Sequence, residues 1–125
     1  MGLDVDDEQA LTRIRRICSG LAGAEEARLQ ERPLFHVARR RFALFNGVGS
    51  PPRLRWAGWG RSLHLLVEPE EREALRANPR CAPSPHHGDR GWVGLGLDGA
   101  TDWVELAELL DAAHRQVVPR GPGRR

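Results

Sequence analysis

The residues with the most chemical capacity share one short run, SPHHGDRGW at positions 84–92. His86, His87 and Asp89 offer two imidazoles and a carboxylate, which could bind zinc or form a general-base pair. Their spacing does not suit a metal. Metal ligands favour alternate positions on a strand or a one-turn separation on a helix, with His64 or His36 supplying further nitrogens here. Adjacent loop histidines are expected to point apart, so no metal and no other cofactor is assigned. Catalysis would need a nucleophile beside the His–Asp pair. Ser62 and Ser84 are the obvious hydroxyls, and neither sits in an elbow or triad signature. No catalytic residue is assigned, and the chain reads as non-enzymatic. The plain structural alternative is that Asp89 and Arg90 fasten the loop by hydrogen bonds while Gly88 and Gly91 let it turn.

Binding chemistry is better served. Trp56 and Trp59 lie beside Arg55 and Arg61, while His64 and Trp92 point off the core faces of two predicted strands. With His86, His87, Asp89 and Arg90 they would form an aromatic, cationic surface suited to a planar aromatic or anionic small molecule. Against this stands the ordinary role of tryptophan in a core. That role wins for Trp103, on a helix stripe, and balances the binding role for Trp56 and Trp59. A second chemistry is phosphate contact. Arg39, Arg40 and Arg41 would form the tip of a hairpin, with Arg53, Arg55 and Arg61 on the sheet. Phosphate contacts need no special spacing, so the pattern is unspecific. Base-specific recognition is not expected, because Arg13, Arg15 and Arg16 of the first helix stand among acids.

The elements that must position these residues follow from periodicity. A helix is predicted from about Glu8 to Leu21, capped by Asp6 or Asp7, with Leu11, Ile14, Cys18 and Leu21 on one face and Gly20 and Gly23 after it. Strands are predicted at Leu34–Ala38, Phe42–Asn46 and Ser62–Val67, with a weak one at Leu29–Arg32. Pro69 opens a short helix in which Ala74 and Leu75 touch the core, and Asn78-Pro79 stops it. CAPSPHHGDRG is read as loop. GWVGLGLD then alternates, with Val93, Leu95 and Leu97 on one face and Trp92, Gly94 and Gly96 on the other. That second face implies either very close packing or a shallow open surface. The last helix begins with an Asp102–Glu105 cap and carries Trp103, Leu106, Ala107, Leu110, Ala113 and Val117 on one stripe. The order is α+β: an antiparallel sheet with N- and C-terminal helices packed on one face.

Composition sets the bounds. The chain has 125 residues, enough for one domain, read as residues 1–119 with a disordered basic tail at 120–125. No stretch resembles a signal peptide or membrane span, and Cys18 and Cys81 form no metal or redox motif, so a cytoplasmic home is expected. All 19 basic residues are arginine, as coding bias in a GC-rich genome would produce. The distribution says more than the total of +2: residues 28–61 hold eight arginines and one acid, while both flanks are acidic. Such a block can face a phosphate backbone, or pair with the flanks.

LAGAEEA, FHVARRRFALF, LLVEPEEREALRANPR and HHGDRGWVGLGLDGATDWVELAELLDAAHRQVVPR together resemble the MmcQ/YjbR family, from roughly Thr12 to Arg120. GDRGWVGLGLD and the following DW carry most of the likeness. The resemblance implies a small α+β domain similar to the bacterial frataxin-like (CyaY-like) fold. It implies no reaction, and a DNA-binding label that itself rests on fold similarity. Occurrence of some members in antibiotic gene clusters implies small-molecule binding for part of the family. Two departures mark a subgroup: SPHHGDRGW replaces an aromatic P-P-Y-x-G stretch, and RLRWAGWGRSLH is longer and richer in tryptophan than the usual link. Frataxin-like iron binding gains little support. Asp4, Asp6, Asp7 and Glu8 make no long acidic ridge, and acids at a helix start answer the helix dipole. The expected function is DNA binding through the basic hairpin and sheet face, with small-molecule binding as the alternative and an enzyme pairing His86 or His87 with Asp89 as the third reading. The expected assembly is a monomer or weak homodimer, with no membrane partner.

Overall fold

A computed structural model of the chain describes residues 6–49 and 51–119. Asp4 and the basic tail 120–125 lie outside the described residues. In chain order the elements are α1 (Asp7–Ser19), β1 (Ala24–Leu29), β2 (Arg32–Val37), β3 (Arg40–Asn46), β4 (Ser62–Leu66), α2 (Pro69–Leu75), β5 (Cys81–Pro83), β6 (Trp92–Gly96) and α3 (Trp103–Val117). The six strands form one antiparallel sheet in the order β1-β2-β3-β4-β6-β5.

The long helices start where side chains satisfy their free amides. The Asp6 carboxylate accepts from the Gln9 N–H at 2.7 Å and the Gln9 side chain accepts from the Asp6 N–H at 3.1 Å, a complete capping box. Asp102 accepts from the Val104 and Glu105 amides. Each helix then buries a stripe: Ala10, Ile14 and Cys18 on α1, and Leu106, Leu109, Leu110, Ala113, His114 and Val117 on α3. Both stripes meet one face of the sheet, where Phe35, Phe42, Phe45, Leu63, Leu65, Val93 and Leu95 complete the core. His114 earns its buried place by bonding the Ala22 carbonyl at 2.7 Å.

Several local expectations are corrected. Leu29–Arg32 is not a strand: β1 ends at Leu29, β2 begins at Arg32, and Gln30-Glu31 form a two-residue turn. The hairpin tip is Ala38-Arg39, whereas Arg40 and Arg41 already belong to β3. β1 and β5 are additional strands, the latter inside a segment read as loop. Ala74 is exposed and only Leu75 of α2 is buried. Trp103 is half-buried, with the Arg13 guanidinium 5.1 Å above its ring.

The second face carries the site. A bulge leaves Phe42 without a partner between the His36–Arg41 and Phe35–Ala43 pairs, and Phe42 turns into the core. Alternation then sets three cross-strand rows on the face away from the helices. Arg32, Asn46 and Ser62 form one, Leu34, Leu44, His64 and Gly94 the next, and the His36–Arg41 and Leu66–Trp92 pairs together the third.

Both two-residue turns are left-handed throughout, at φ 51° and 65° for Gln30 and Glu31 and 49° and 72° for Ala38 and Arg39. This geometry matches the strand twist, but non-glycine residues adopt it at a cost of roughly 1–2 kcal/mol each. Replacing Ala38→Asn with Arg39→Gly, whose side chains make no hydrogen bond among the described residues, should therefore stabilise the fold by about 1 kcal/mol. A higher urea midpoint with an unchanged slope would show it, and an unchanged midpoint would refute it.

Candidate functional site

The site begins with a buried arginine. Arg32 is 1% exposed, and among the described residues no carboxylate pairs with it. Neutral groups hold it instead. Its Nε donates to Asn46 Oδ1 at 2.9 Å, one terminal nitrogen donates to the Leu54 carbonyl, the other reaches Gln30 Oε1 at 3.3 Å, and the Trp56 ring lies 3.9 Å from Cζ. Because Asn46 Oδ1 faces Arg32, its amide nitrogen faces the Gly60 carbonyl at 2.9 Å and Ser62 Oγ at 3.2 Å. His64 follows. Its Nε2 is 2.8 Å from Ser62 Oγ and its Nδ1 is 2.8 Å from Ser84 Oγ.

Proton accounting selects one tautomer of His64. Ser62 Oγ donates to the Gly60 carbonyl at 3.0 Å, so it can accept from His64 Nε2–H. Ser84 Oγ accepts from the His86 N–H at 2.9 Å and can donate to Nδ1. Every donor then has an acceptor. The other tautomer leaves the Ser84 hydroxyl proton without one. Burial first, then the positive charge of Arg32 and His86, push the His64 pKa down to about 3. His64 is neutral at neutral pH.

Two tryptophans roof this network. The Trp56 and Trp59 ring centroids each lie 4.7 Å from that of His64 in edge contact. Trp59 seats in a notch that Gly94 makes. A Cβ there would stand 2.5 Å from Trp59 Cη2 and 2.5 Å from His64 Cε1. Of the two expectations for the Trp–Gly–Gly face, close packing holds at Gly94 and open space at Gly96. The roof is also latched at its ends. Arg61 Nε meets Asp7 Oδ1 at 2.6 Å, and Arg53 stands 3.8 Å from Glu31. Burial alone would raise the Asp7 carboxyl, but the Gly49 amide, Arg61 and the Val48 amide together hold it below the usual carboxylate range.

The SPHHGDRGW loop lies along the third row. His86 stands edge-on to Trp92 at 4.6 Å, and the His86 and His87 rings lie 4.4 Å apart rather than pointing away from each other. Asp89 and Arg90 do not fasten the loop. Both are exposed, and among the described residues neither side chain makes a hydrogen bond. The fastening comes from Ser84 and from the His87 carbonyl, which accepts from the Arg90 and Trp92 amides. His87 and Gly91 make the turn with positive φ. Burial first, then His87, Arg41 and Arg32, lower the His86 pKa to about 4. Among the described residues no histidine bonds a carboxylate, and no group of three metal-ligating side chains is present.

The predicted site residues thus fall into two sets. Trp56, Trp59, His64 and Trp92 come together, along with Arg32, Asn46, Ser62 and Ser84, but they fill the space between them. The six predicted phosphate contacts separate. Arg53, Arg55 and Arg61 belong to the segment beyond Asn46, whereas Arg39, Arg40 and Arg41 cluster at the other end of β3, a strand length of roughly 20 Å away. Arg39–Arg41 are exposed, and among the described residues no acid pairs with them. His36 shares that end, opposite Arg41 and 3.3 Å from the Arg39 amide through Nδ1.

A six-stranded antiparallel sheet with its long helices on one face and a roofed polar row on the other defines a small α+β protein. The YjbR family model matches residues 19–116, and the chain belongs to that family. It is similar to the crystal structure of a Deinococcus radiodurans protein with a DUF419 domain, at 29% identity and a TM-score of 0.67, over 83% of this chain and 75% of that one. A Pseudomonas syringae protein shares the fold at 16% identity and a TM-score of 0.67, over 86% of this chain and 97% of that one. No curated protein matches the chain. Among the described residues no helix is long and apolar enough to cross a membrane.

Two outcomes follow from the packed network. Gly94→Ala should destabilise by about 1–3 kcal/mol, because Trp59 or His64 must move; a variant with an unchanged thermal midpoint would contradict the notch. His64 and His86 bind protons more weakly folded than unfolded, so their contribution is complete above about pH 6.5 and is lost as pH falls towards 3–4. His64→Gln should flatten the fall of stability across that window, measured by urea melts at stepped pH.

Proposed function

We propose that the chain is a non-catalytic binding protein that engages the phosphate backbone of nucleic acid through the β2–β3 hairpin tip. One observation supports this above others: Arg39, Arg40 and Arg41 stand exposed together without acidic partners among the described residues, while Arg53 and Arg61 are tied to Glu31 and Asp7. His36 pairs with Arg41 across the ladder, and with its Nδ1 facing the Arg39 amide it adds a donor at the same end of the second face. The left-handed tip carries Arg39, and Arg40 and Arg41 follow it as the first, exposed residues of β3. Such a patch recognises charge and not base sequence. The small-molecule alternative, with Trp56, Trp59, His64 and Trp92 as its walls, is less well supported. Trp59 occupies the Gly94 notch and Trp92 is 5% exposed, so a ligand would first have to displace the roof.

Fluorescence anisotropy with a labelled random-sequence duplex tests the proposal. Affinity should fall with salt, and Arg39→Ala, Arg40→Ala and Arg41→Ala combined should reduce the logarithmic salt slope by about 3 units. Arg53→Ala should change little. Absence of binding at low salt, or a triple variant that binds like the parent, would sink it. Competition by inorganic phosphate at low concentration would favour a small anion as the natural ligand.

A further inference from the structure

We infer that β1 is a self-complementary edge that joins a second copy of this chain into one continuous antiparallel sheet. The inference stands apart from the proposed nucleic-acid contact. The two ends of the sheet are protected unequally. β5 has three residues and includes Pro83, which removes a donor and blunts that edge. β1 has six residues, pairs with β2 in unbroken register, and contains no proline or bulge. Among the described residues no strand lies on its outer side.

The backbone groups on that outer side can be named. The Ala24 N–H is spent on the Leu21 carbonyl at 3.1 Å, so it points away from β2. Alternation directs the N–H and C=O of Glu26 and Arg28 the same way, while Leu29 closes the two-residue turn opposite Arg32. The side chains of Glu26 and Arg28 lie on the helix-bearing face and reach solvent, with Arg15 of α1 the one helix side chain bonded to Glu26 among the described residues.

Charge then chooses the register. With the helices of both copies on the same side, two-fold antiparallel pairing can set Glu26 against Glu26, Arg28 against Arg28, or Glu26 against Arg28. The first two place like charges directly opposite and are disfavoured. The third forms two Glu26–Arg28 pairs between copies and places Ala27 against Ala27 at the axis. Arg15, already 2.7 Å from Glu26, extends each pair into an Arg–Glu–Arg chain. The joint ladder carries four backbone hydrogen bonds, two for each Glu26–Arg28 pair.

Sedimentation velocity of the full chain over a wide concentration range should show a species of twice the chain mass that grows with concentration. Arg28→Glu should abolish it, and Glu26→Arg combined with Arg28→Glu and Arg15→Glu, which keeps the partner of position 26 opposite in charge, should restore it. Circular dichroism would verify that these exposed substitutions leave the fold intact. In a Cys81→Ser background, Ala27→Cys should form a symmetric intermolecular disulfide, because Cα atoms of a non-hydrogen-bonded pair stand about 4.5 Å apart. A chain that stays monomeric throughout, or a dimer indifferent to Arg28→Glu, would overturn the inference. Loss without restoration in the charge-swapped variant would overturn the register.

Discussion

The second face of the sheet is organised by the burial of one guanidinium without a carboxylate. Arginine stays charged inside proteins, and a buried charge is tolerated only when its donors are met. Arg32 finds an amide oxygen, a loop carbonyl and an indole face. Those partners are ordered in turn. Asn46 must present its oxygen to Arg32, so its nitrogen holds Gly60 and Ser62. Ser62 then sets the proton on His64, and His64 meets Ser84 at the start of the next loop. One desolvated cation thereby ties together β2, β3, β4 and both segments that cover the sheet. A lysine could not take its place, because a point ammonium lacks the planar fork that serves an amide, a carbonyl and a ring at once.

This chain of bonds divides the molecule's polar residues by role. The end of the face near Arg32 is closed, and its aromatic and cationic groups answer one another. The end near the Ala38-Arg39 turn is open, and its arginines answer to solvent. The fold therefore resolves what the average composition obscures. A strongly basic central block splits into a part that lies in or beside the roof and a part that stands exposed to solvent.

The fold was legible where burial leaves a period. The stripes of α1 and α3 and the alternation of β4 and β6 follow directly from one-sided packing. β1 was hidden because an exposed edge strand such as AEEARL has no apolar alternation to show, and β5 because three residues ending in proline resemble loop. The site was half legible. His64, Trp92 and Gly94 could be placed off the core face from strand parity alone. Arg32 and Asn46 could not, since charged and amide residues in a sequence read as solvent-facing unless their partners are known. Their one trace was position: each ends an apolar strand at the same edge of the face. The closure of the roof was equally hidden, because it depends on contacts between segments that are distant in sequence.

The seat of Trp59 over Gly94 has a consequence for how such chains diverge. Indole and bare α-carbon occupy a single volume, so neither position is free to vary while the other stays. A relative that lacks the tryptophan gains room for a side chain on the sixth strand, and one that gains a side chain there must surrender the tryptophan. This coupled pair would sort relatives into those whose sheet is sealed and those whose sheet lies bare. In the second group, the face that is structural here becomes available for ligands.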